Sequence, residues 1–125
     1  MSITFVVLLM IFCHILDDYV LQGWLATGKQ KEFWEKNAPQ KMYKYDYIMA
    51  LLMHSISWTF MIMLPIAYTN SFNIGLSFAI AFMANVIIHA IVDDLKANKK
   101  KINLWVDQLI HMAQIFVTAY IFLGG

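Results

Sequence analysis

The sequence predicts an all-α integral membrane protein, a bundle of four transmembrane helices. Three observations lead there. Charged residues make up 14% of the chain and hydrophobic residues 61%, whereas a soluble domain carries roughly 25% charged residues. Four runs, 3–22, 47–69, 73–96 and 104–123, each supply the roughly 20 mostly apolar residues that a spanning helix needs. A soluble helical bundle would show polar faces at helical period, and stretches such as 58–67 and 74–84 offer almost none. The 125 residues therefore read as a single transmembrane domain, 1–125, with its longer connections at 23–46 and 97–103.

The first run is interrupted only by His14, Asp17 and Asp18. It lacks a basic leading segment and no small-residue cleavage site follows, so it reads as a retained helix rather than a signal peptide. Its Cys13 is the single cysteine, which excludes an intramolecular disulfide and a multi-cysteine zinc site. In the connection 23–46, residues 31–37 predict a short helix on the membrane surface with Phe33 and Trp34 facing lipid. The second run carries His54 and tolerates Pro65 near its end. Residues 69–73 form a tight uncharged turn. The third run carries Asn85, His89, Asp93 and Asp94, and the fourth Asp107, Gln108, His111 and Gln114.

All nine basic residues are lysines, and all lie in or beside the connections 23–46 and 97–103. The positive-inside rule places both connections in the cytoplasm, with the termini and the 69–73 turn on the other side. Trp24, Trp34, Tyr43, Tyr45, Tyr47 and Trp105 then form an aromatic belt at the cytoplasmic face. A net charge of +1 gives no reason to expect a nucleic-acid partner, and the absence of arginine argues against bidentate phosphate recognition.

The intramembrane polar residues fall into one layer. His14 lies eight residues before Gln22, His54 seven after Tyr47, His89 seven before Lys96 and His111 eight after Asn103. At the helical rise each sits roughly 10–12 Å below the cytoplasmic boundary, one per helix. His14 and Asp18, His89 and Asp93, and Asp107 and His111 are each spaced i, i+4, which puts a histidine and a shallower carboxylate on one helix face. Asp17 and Asp94 lie one step further round, about 100° off these stripes. The first and third runs read as parallel copies, suggesting a two-fold internal repeat that relates helices 1–2 to helices 3–4.

At these residues the chain resembles a family of small uncharacterised integral membrane proteins from bacteria and their phages that carry a domain of unknown function. The shared motifs are H-x-x-x-D-x-x-L-Q at His14, Asp18, Leu21 and Gln22, H-x-x-x-D-x-x-K at His89, Asp93 and Lys96, and D-Q-x-x-H at Asp107, Gln108 and His111. The likeness spans essentially the whole chain and favours Asp18 over Asp17 and Asp93 over Asp94. It implies a bacterial inner-membrane location. More loosely, the chain resembles small bacterial membrane proteins labelled metal-dependent hydrolases.

Ionisable groups inside a bilayer are costly and face the bundle interior, one another or a ligand. Imidazole and carboxylate without thiolate suit zinc first, then iron or manganese. The expected site has His14, His54, His89 and His111 as metal ligands, with Asp18, Asp93 and Asp107 as ligands or general base. Gln22, Lys96 and Gln108 would contact the bound group or the polar end of a substrate. The function expected first is a metal-dependent hydrolase acting on an amphiphilic or lipid-linked substrate, with the lipid bilayer as partner and a homo-oligomer as a possible state. Two other readings stand beside it. One is a metal-ion or proton transporter, for which the apolar outer half of every helix leaves no complete path. The other is a non-catalytic accessory membrane protein in which the same network only fixes helix packing.

Overall fold

A computed structural model describes residues 1–124. Helix α1 (Ile3–Leu16) runs on into a single π turn, Asp17–Leu21. Two short helices follow, α2 (Leu25–Gly28) and α3 (Lys31–Asn37), and then a 3-10 turn at Lys41–Tyr43. The remaining helices are α4 (Asp46–Thr69), α5 (Leu76–Ala97) and α6 (Leu104–Leu123). With the π turn counted into the first, α1, α4, α5 and α6 are each long and apolar enough to cross a membrane. No strand occurs among the described residues.

Local chemistry sets the helix ends. The Ser2 hydroxyl accepts from the Phe5 N–H at 3.2 Å, and the Asn103 side chain accepts from the Val106 N–H at 3.0 Å, each satisfying an amide that has no intrahelical partner. Pro65 lies inside α4, yet the helix continues to Thr69. The expected start of the third spanning helix at 73 moves to Leu76. Ser71 and Phe72 take positive φ values of 52° and 60°, and the Phe72 N–H closes on the Ala67 carbonyl at 2.7 Å. This turn uses residues up to Gly75 before a helix can begin.

In the bundle α1 packs on α4, α4 on α5, α5 on α6 and α6 back on α1, with α4 and α6 also touching across the diagonal. The end bearing the termini has an apolar core of Val6, Met10, Trp58, Ile62, Met63, Ile66, Ile115 and Ala119. Large apolar side chains such as Phe5, Leu8, Ile80, Ile87, Phe116 and Ile121 are exposed around the outside, as a lipid-facing surface requires. In lipid, packing and interhelical hydrogen bonds rather than water exclusion hold helices together, so the polar interior is part of what specifies this bundle.

Helix α3 has the bounds expected of it, but its aromatic side chains do not simply face outward. Phe33 and Trp34 are partly buried and pack edge-on against each other and against Trp24, with ring centroids 5.5–6.0 Å apart. The Trp34 indole N–H donates to the Gly28 carbonyl at 2.7 Å. Gly28 itself has no room for a side chain, because a Cβ there would lie 2.5 Å from the Trp24 ring. Asn98, just past α5, fastens this segment. Its amide donates to the Lys29 carbonyl at 2.9 Å and its oxygen accepts from the Lys31 N–H at 2.6 Å. The α2–α3 segment is thereby a strap over the lysine-bearing end of the bundle.

Candidate metal centre

Beneath that strap the four histidines meet. His54, His89 and His111 are 0–1% exposed and His14 is 2% exposed. The His89 and His111 rings stack at 4.2 Å with 17° between their planes. The His54 and His89 centroids lie 5.0 Å apart, and those of His14 and His111 6.0 Å apart. The layer inferred from helix depth is therefore a cluster in space. Its carboxylates come from Asp18, Asp93 and Asp107, as the i, i+4 stripes required, and also from Asp17.

Asp17 corrects the sequence reading. It lies three residues after His14, which in a helix puts it on the same face. Asp17 is 1% exposed. One of its oxygens accepts from the Ser57 hydroxyl at 2.6 Å, and the other lies 3.6 Å from His54 Nδ1. Asp94 stays outside the cluster, accepting from the Asn98 amide at 2.7 Å and pairing with Lys99. The two His-Asp-Asp segments that look alike in sequence thus differ in space.

Three residues unmarked in the sequence reading complete the site. Trp58 is fully buried among the histidines and donates its indole N–H to His14 Nδ1 at 2.8 Å. It lies at i+4 from His54, on the same helix face, and that spacing was the available signal. Ser55 Oγ lies 3.1 Å from His89 Nδ1. Lys29 reaches in from the strap, 6% exposed, to donate to Asp93 Oδ2 at 3.0 Å. Nothing in the spacing of Lys29 announces this, because its reach depends on how Asn98 ties the strap to the end of α5.

The hydrogen bonds fix which imidazole nitrogens are free. Indole N–H is a donor only, so His14 Nδ1 accepts and, with the ring neutral, its proton sits on Nε2, 2.9 Å from Gln108 Oε1. The Gln108 amide then donates to Asp107 Oδ2 at 3.0 Å. Both nitrogens of His14 are engaged, and His14 belongs to none of the groups whose atoms converge closely enough to hold an ion. The expectation that His14 is a metal ligand does not fit this geometry; His14 orients its neighbours. Gln108 likewise contacts the cluster itself, and the Gln22 amide donates to the Asp18 backbone carbonyl. Lys96 lies 3.4 Å from Asp107 Oδ2 and is partly exposed.

His111 is held the other way round. The Gln114 amide donates to the Asn85 carbonyl at 3.2 Å, which leaves Gln114 Oε1 to accept from His111 Nδ1 at 2.9 Å. With that ring neutral, His111 Nε2 carries a lone pair; it has no hydrogen-bond partner. It lies 3.3 Å from Asp107 Oδ1 and 3.4 Å from Asp93 Oδ1. His89 Nε2, His54 Nδ1, Asp17 Oδ2 and Asp107 Oδ1 are also buried without partners.

Four groups of three side chains converge within 4.8 Å: Asp18–His89–His111, His54–His89–Asp93, Asp17–Asp18–His54 and Asp93–Asp107–His111. The set can hold a divalent cation. With neutral imidazoles and all four carboxylates ionised, Asp17, Asp18, Asp93 and Asp107 against the Lys29 and Lys96 ammonium groups leave two negative charges, which one such ion would balance. Fold and site together define a class: an integral membrane four-helix bundle with a buried histidine–aspartate centre. Compared with protein-family models, curated proteins and solved structures, the chain matches none.

Proposed function

We propose that this is a divalent-metal protein of the bacterial inner membrane, with zinc as its first candidate ion and a centre that faces the cytoplasm. One observation carries the metal reading. His111 Nε2 faces two carboxylate oxygens at 3.3 and 3.4 Å. These separations exceed the usual N–H···O length of about 2.7–3.2 Å, and a single N–H cannot point at both. At zinc–ligand distances near 2.0–2.1 Å, tetrahedral ligand atoms stand about 3.3–3.4 Å apart. His111, Asp93 and Asp107 would hold the ion, with His89 Nε2 beside them. The nine lysines at the strap end support its assignment to the cytoplasm.

The activity we assign is hydrolysis of an ester or phosphoester whose polar end enters beneath the strap. A bound divalent ion supplies Lewis acidity at such a site. Asp18, whose side chain is 10% exposed, is the most exposed carboxylate of the cluster. Lys96, 29% exposed, stands where an anionic headgroup would arrive. Transport is the weaker reading, because the buried Ile62, Ile66 and Ile115 of the apolar core lie between the histidines and the far end. Elemental analysis of detergent-purified protein tests the metal. Zinc is expected in the wild type and lost in His111→Gln, and a wild type that neither carries nor rebinds a divalent ion refutes the proposal.

A further inference from the structure

Apart from Gln22 Oε1, Thr59 Oγ1 and His89 Nε2, the unpartnered buried side-chain atoms fall at two places. One is the His111–Asp93–Asp107 corner, built wholly from α5 and α6. The other lies between α1 and α4, where His54 Nδ1 and Asp17 Oδ2 face each other at 3.6 Å, both buried and neither hydrogen-bonded. His54 Nε2 lies 3.1 Å from Asp18 Oδ1, so its proton is engaged there and Nδ1 presents a lone pair. A lone pair aimed at an ionised carboxylate oxygen is unfavourable, and a proton or a metal cation between them relieves it. The groups Asp17–Asp18–His54 and Asp93–Asp107–His111 share no residue. Each pair of consecutive spanning helices supplies one of them.

Building on the metal reading above, we propose that the centre is dinuclear, with the second divalent ion held by Asp17, Asp18 and His54. His89 stands between the two positions. Its Nε2 lies 3.8 Å from Asp18 Oδ1, its ring stacks on His111, and its Nδ1 is tied to Ser55. Ser57 fixes Asp17 from the far side, leaving Oδ2 of Asp17 for the ion. The first ion balances the charge of the cluster and the second exceeds it, so the second is the more weakly held. A pair of ions flanking the Asp18 carboxylate suits the binding of a phosphoryl group, whose oxygens two cations can share.

The test is stoichiometry at saturation. Full-length protein in detergent, stripped with chelator and titrated with Zn²⁺, is expected to bind two ions per chain. Asp17→Asn and Asp107→Asn are each expected to bind one. A wild type that binds none overturns the metal reading itself. A wild type that binds one leaves that reading intact and overturns the dinuclear centre, as does Asp17→Asn binding two. If Asp17→Asn is not recovered folded, His54→Gln takes its place with the same expected loss of one ion, and retention of two in that variant overturns the assignment.

Discussion

Replacing Trp58 by Phe would remove one hydrogen-bond donor while keeping most of the aromatic volume. In the wild type that donor ends on His14 Nδ1 at 2.8 Å, with Trp58 0% and His14 2% exposed. An interhelical side-chain hydrogen bond inside a bilayer is worth about 1 kcal/mol. Leaving the imidazole nitrogen buried and unsatisfied costs about 1–3 kcal/mol. The expected loss of stability is therefore about 1–3 kcal/mol, read from denaturant unfolding in detergent. The effect should also reach the metal, because His14 without its donor is free to exchange tautomers. Gln108 then loses the proton that orients its amide toward Asp107. Disturbing such an outer partner typically weakens metal binding about 10–100-fold, measurable by chelator competition. Unchanged stability and unchanged zinc affinity in Trp58→Phe would refute the argument that this chain of donors sets the site. A coupling near zero between Trp58→Phe and Gln108→Leu in a double-mutant cycle would do the same.

Three further outcomes are expected. His14→Gln should keep the full metal stoichiometry and lose about 10–100-fold in affinity, whereas His111→Gln should lose an ion outright; elemental analysis of both separates ligand from orienting residue. Lys29→Met should destabilise the metal-free protein by about 3–5 kcal/mol, because it strips a buried carboxylate of its ammonium partner, and added zinc should restore much of that loss in a thermal-shift measurement. Gly28→Ala should cost about 1–3 kcal/mol through overpacking against Trp24, and protease cleavage in the strap should quicken while the four spanning helices stay intact.

The spanning helices are legible because lipid-facing segments must do without charge, and the interruptions in these runs stand out against that background. The histidine layer is legible for a related reason. A fixed rise per residue turns sequence distance from a boundary into depth, and His14, His54, His89 and His111 share one depth. What depth does not reveal is direction. His14 lies at the same level as His111, but a donor on another helix, Trp58, claims the nitrogen that a metal would need. Asp17 is misread because the 100° step was counted from Asp18, whereas from His14 it stands at i+3, on the same helix face. Lys29 is invisible for a third reason: it belongs to a connection, and its partner Asp93 is set by how Asn98 ties that connection down. The start of α5 slips by three residues because the positive-φ turn at Ser71 and Phe72 closes through the Phe72 and Asn73 amides, which an apolar count ignores.

The Lys29–Asp93 contact also bears on biogenesis. Lys29 precedes α4, while Asp93 sits near the end of α5, so the two meet only after both helical hairpins are in the bilayer. Until then the first hairpin carries Asp17 and Asp18 with a spare ammonium group at its rim, and the second carries Asp93 and Asp107 with too little counter-charge. Each half is by itself a poor occupant of lipid, and docking relieves both at once. The lysine acts as a latch that can engage only the finished assembly.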